Sequence, residues 1–73
     1  MSIGEKLQNL RVDRGYTQEY VGHAVGLERS KVTKIEKGVR RVYADEIVRF
    51  CKLYQMSADE LLGLKDGENT KSI

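Results

Sequence analysis

Seventy-three residues, 33% of them charged and 40% hydrophobic, with no proline and no tryptophan, make one small globular domain and leave no room for two. No apolar run reaches the ~18 residues of a membrane span, and Met1-Ser2-Ile3-Gly4-Glu5-Lys6 has no signal-peptide core, so a cytoplasmic protein is expected. The single cysteine excludes an internal disulfide, a single histidine gives little for metal ligation or acid–base chemistry, and no cofactor is expected.

The apolar spacing is helical from end to end. Ile3, Leu7 and Leu10 lie at i, i+4 and i+7, and predict a first helix that stops near Arg14-Gly15. Thr17 is a suitable N-cap for a second helix, whose apolar face is Val21, Ala24 and Val25 with Tyr20 beside them. Gly26 ends it, and a third helix is expected from about Glu28 to Lys37, with Val32 and Ile35 inward and Gly38 as its stop. After a basic loop, Val39 to Tyr43, a fourth helix runs from about Ala44 to Tyr54. Its apolar stripe is Ile47, Val48, Cys51 and Tyr54, widened by Phe50 and Leu53. Ser57-Ala58-Asp59-Glu60 is a capping box before Leu61 and Leu62, and starts a short fifth helix ending at Gly63. Residues 1–64 are the expected domain, and 65–73 read as a frayed polar tail.

Net charge is only +2, but its distribution is uneven. Arg29, Lys31, Lys34, Lys37, Arg40 and Arg41 face a single acid, Glu36, within thirteen residues, which gives a local +5. The remaining seven basic and ten acidic residues amount to −3. A positive patch on an otherwise acidic chain is the electrostatic footprint of a polyanion binder. The second and third helices also meet the demands of a helix-turn-helix: a small residue at the crossing, Gly22, and a turn residue tolerant of positive φ, Gly26. That leaves Arg29, Ser30, Lys31, Thr33 and Lys34 outward. No nucleophile–base pair, paired carboxylates or phosphate-binding glycine loop is evident, so an enzyme is not expected.

Taken together, Ile3-Gly4-Glu5-Lys6-Leu7, Leu10-Arg11, Gly15-Tyr16-Thr17-Gln18-Glu19, Val25-Gly26-Leu27, Arg29-Ser30, Ile35-Glu36-Lys37-Gly38 and Ser57-Ala58-Asp59-Glu60-Leu61-Leu62 resemble the XRE family of Cro- and phage-repressor-like regulators. The match spans about residues 3 to 64 without a gap. The stretch Arg41-Val42-Tyr43-Ala44-Asp45-Glu46-Ile47 is similar to XRE domains fused to, or encoded beside, ImmA-type zinc peptidases, with Tyr43 where such domains usually carry a capping serine.

The resemblance implies an all-α, five-helix, lambda-repressor-like DNA-binding domain. It implies base-edge positions at Arg29, Ser30 and Lys34, flanking or backbone positions at Lys31, Thr33, Lys37 and Arg40, and a phosphate contact near Thr17 and Gln18. It also implies a structural ion pair, Arg11 with Glu36. The partners expected are double-stranded DNA carrying a palindromic operator and a second copy of the chain, held through Tyr54, Met56, Leu61 and Leu64. The rival reading is a partner-binding module such as an antitoxin, whose fourth and fifth helices hold another protein.

Overall fold

The computed structural model describes residues 2–63, which form five helices and no strand. Leu64 and the expected tail 65–73 lie outside the described residues. The helices are α1 (Ile3–Asp13), α2 (Gln18–Val25), α3 (Arg29–Lys37), α4 (Ala44–Tyr54) and α5 (Ala58–Leu62).

Local chemistry sets these boundaries. Ser2 and Glu5 form a reciprocal capping box at the start of α1, and Ser57 and Glu60 form another at α5. The Thr17 hydroxyl accepts from the Tyr20 N–H and starts α2. α4 starts differently. Tyr43 occupies the N-cap, where its hydroxyl sits at the far end of a ring, so the cap rests on Glu46, whose carboxylate accepts from the Tyr43 N–H at 3.1 Å.

The α2–α3 turn is closed by the Leu27 N–H donating to the Gly22 carbonyl at 2.8 Å. A Cβ at Gly22 would stand 2.5 Å from the Leu27 carbonyl oxygen, so only glycine permits this crossing. Gly26 takes φ +74° at the turn itself, a conformation costly for residues with a Cβ.

Leu7, Val21, Val25, Val32, Ile35, Phe50, Tyr54 and Leu61 are all at most 1% exposed and draw every helix into one core. Each such side chain contributes on the order of 2 kcal/mol by leaving water. Two expectations are corrected here. Tyr54 and Leu61, assigned to an exposed dimer surface, are core residues: the α4 stripe turns Phe50 and Tyr54 inward, and α5 folds back so that Leu61 closes the core beneath α1. Val48, placed on that same stripe, lies outside it and is 52% exposed.

Candidate nucleic-acid interface

α3 turns Val32, Ile35 and Glu36 inward and leaves Arg29, Ser30, Lys31, Lys34 and Lys37 exposed. Its inward face is fixed by packing, and its orientation by a polar network behind it. Arg11 from α1 grips Glu36 with two bonds, Nε to Oε2 at 2.8 Å and Nη2 to Oε1 at 3.1 Å, and donates from Nη1 to the Tyr16 carbonyl. The Glu36 side chain is 4% exposed and that of Arg11 14%. The Glu36 carboxylate beside it, through its hydrogen bond above all, raises the Arg11 pKa further.

Gln18, the first residue of α2, extends the network. Its Nε2 donates to Glu36 Oε1 at 3.0 Å, and its Oε1 accepts from the Thr33 hydroxyl at 2.8 Å. The Thr33 hydroxyl also lies 3.1 Å from the Arg29 carbonyl one turn earlier. Helices α1, α2 and α3 are therefore locked by one chain of hydrogen bonds, Arg11–Glu36–Gln18–Thr33. Of the residues expected to meet DNA, Gln18 and Thr33 are thus engaged inside the protein and half-buried.

In front of α3 lies an open concavity lined by Arg29, Ser30, Thr33, Lys34, Lys37 and Val39, with no acid among them. A second, more polar one is lined by Arg11, Tyr16, Thr17, Gln18, Glu19 and Arg29, at the N-terminal end of α2. Arg29 borders both. The positive end of α2 and the cationic side chains of α3 thus face the same region, an arrangement suited to a polyanion.

Arg40 stands apart from the other cations. Its two Nη atoms reach Glu46 at 2.9 and 3.0 Å, Nη1 also donates to the Arg41 carbonyl, and the guanidinium lies 5.5 Å from the Tyr43 ring centroid. Hydrogen bonding to Arg40 holds the Glu46 carboxyl below its ordinary range. Arg40 therefore secures the start of α4 in place of a side-chain cap. The sequence offered only a glutamate at the third position of α4, with nothing to choose Arg40 from the neighbouring cations as its partner. Val39 was also missed as a lining residue: it follows the stop at Gly38 and belongs to no helical period.

Away from the residues of α3, Val48, Cys51, Lys52, Met56 and Ala58 line a shallow concavity between α4 and α5. Met56 is half-buried there, and burial pushes the Cys51 thiol up. Among the described residues no group of three or more His, Cys, Asp or Glu could hold a metal, and no helix is long and apolar enough to cross a membrane.

A helix-turn-helix domain model matches residues 2–64 of the chain. The HTH-type transcriptional regulator ImmR of Bacillus subtilis (strain 168) is 31% identical over 72 residues, 99% of this chain, which spans 56% of the length of that relative. The uncharacterized HTH-type transcriptional regulator YgzD of the same bacterium is 33% identical over 61 residues, 84% of this chain and 92% of its own length. Among solved structures, the restriction-modification controller protein C.AhdI of Aeromonas hydrophila superposes with a TM-score of 0.77 at 32% identity, covering 82% of this chain and 91% of the other.

Proposed function

We propose, on the premise that this chain belongs to the helix-turn-helix domain family, that it is a sequence-specific regulator of transcription that binds double-stranded DNA as a homodimer on a palindromic operator. Two relatives more than 30% identical carry the name of transcriptional regulators, which supports this reading. The observation that carries it is the acid-free concavity of α3, backed by the Arg11–Glu36–Gln18–Thr33 network. A face meant only for solvation needs no buried brace behind it.

In this reading Arg29 reads a guanine edge from the first turn of α3, and Ser30 and Lys34 read neighbouring bases. Lys31 and Lys37 meet phosphates, as does the N-terminal end of α2 at Thr17 and Gln18. One α3 covers only a few base pairs, so two copies related by a dyad read half-sites about one turn apart. The dimer surface we assign to the concavity between α4 and α5, keeping Met56 and adding Val48 in place of the buried Tyr54 and Leu61. Repression by promoter occlusion follows from such binding, at a cytoplasmic site of action.

Selection from a random duplex pool with the purified protein tests the whole reading. Enrichment of one palindrome is the expected result. A pool that stays random, or an enriched motif without dyad symmetry, overturns the sequence-specific or the dimeric part respectively.

A further inference from the structure

Val39 is 72% exposed, the most exposed large hydrophobic residue among those described. Its position is nevertheless fixed. Gly38 turns the chain at φ +80°, and the Val39 N–H donates to the Lys34 carbonyl at 3.0 Å, closing the last turn of α3. Packing in the core does not account for it, since it lies outside the buried cluster and the partly buried residues around it. Instead it is the single apolar residue lining the concavity of Arg29, Ser30, Thr33, Lys34 and Lys37.

Three cations in that lining select a polyanion by charge. On base edges in the major groove, the apolar group available to an aliphatic side chain is the 5-methyl of thymine. We propose that Val39 is a specificity-determining residue, whose isopropyl group reads a thymine methyl in each half-site. The proposal rests on the DNA-binding reading of the same face. It adds a contact that hydrogen bonds cannot supply: discrimination of thymine from uracil, which differ only by that methyl.

The test uses the duplex selected by the wild-type protein, with each thymine replaced in turn by uracil, and titrates wild type, Val39→Ala and Val39→Thr. Wild type should lose about fourfold in affinity at one thymine per half-site, the fold-change expected for desolvating one methyl group. Val39→Ala should bind the thymine duplex several-fold more weakly and be indifferent to uracil at that position. Val39→Thr, which keeps the branched shape and one methyl, should fall between the two. A uracil penalty that persists in Val39→Ala, an absence of any uracil-sensitive position, or an equal loss by Val39→Ala on operator and scrambled duplex overturns the assignment. Wild type that binds no duplex overturns the DNA-binding reading itself, whereas wild type that selects a palindrome with no methyl-dependent position overturns only the role of Val39.

Discussion

Glu36 accepts from Arg11 and from Gln18 with both of its oxygens buried, so its removal strands a guanidinium and an amide at once. Breaking such a pair on one side is costly because the remaining charge keeps its desolvation without its partner. Glu36→Ala should lose about 3 kcal/mol, and in a domain this small the melting temperature should fall by more than ~10 °C. An unchanged melting temperature would mean that water replaces the carboxylate without loss. Tyr54 presents the opposite case. Its ring stacks near Phe50 and Tyr16 and lies under the Arg14 guanidinium, yet its hydroxyl has no hydrogen-bond partner among the described residues. Burial pushes that hydroxyl up to about 12. Tyr54→Phe keeps the ring and removes an orphaned polar group, so thermal denaturation should show equal or greater stability, by up to about 1 kcal/mol. The unfolded chain ionises this tyrosine near its ordinary value of 10 while the folded chain holds the proton, so wild type loses stability as pH rises from 10 toward 12. The margin of Tyr54→Phe over wild type should therefore widen above pH 10. A margin constant with pH would place the hydroxyl in contact with water.

At the scale of the helix, α4 depends on a charge rather than on a side-chain cap. Glu46 accepts from the Tyr43 N–H and from both Nη atoms of Arg40. Since its folded pKa is depressed, its contribution is complete above the ordinary glutamate value of 4.5 and is lost as pH falls below it through the folded value. The melting temperature of wild type should exceed that of Glu46→Gln at neutral pH, and the difference should shrink below about pH 4.5. A difference that does not change with acidification would show that shape, not charge, holds the helix start. The arrangement also shows where sequence reading stops. Helix ends were legible because Thr17, Ser57, Gly26, Gly38 and Gly63 act on neighbours within four residues. The partner of Arg40 was not, because the basic loop offered several equivalent cations to one glutamate and only the folded path selects among them. The same limit misplaced Tyr54 and Leu61: a stripe of apolar residues on a short helix does not say which edge meets the core, and that was set by α5 folding back on α1. Gly4 counted only as part of the Ile3-Gly4-Glu5-Lys6-Leu7 resemblance, with no packing role assigned, yet a Cβ there would run into the carbonyls of Ile35 and Glu36, where α1 crosses α3.

Across the whole molecule the charge asymmetry survives folding in altered form. Of the six cations between Arg29 and Arg41, Arg40 is neutralised by Glu46, while the lone acid of that window, Glu36, is neutralised by Arg11 from outside it. Arg29, Lys31, Lys34, Lys37 and Arg41 remain exposed. Counterion release makes the salt dependence of DNA binding a count of phosphates neutralised, roughly one unit of slope for each. On the proposed interface Lys37, at the end of α3, meets the backbone and contributes to that count, whereas Arg40 is already paired within the protein and does not. Lys37→Ala should weaken binding to operator and scrambled duplex alike, and lower the slope of log affinity against log salt by about one unit per bound protomer. Arg40→Ala should leave the slope unchanged and instead lower the melting temperature, because it removes the clamp at the start of α4. Anisotropy titrations of wild type and both variants at four or five salt concentrations, with a melt of each, separate the two roles. A slope reduced by Arg40→Ala as much as by Lys37→Ala would mean that Arg40 leaves Glu46 for a phosphate on binding, and that the start of α4 rearranges when DNA is engaged.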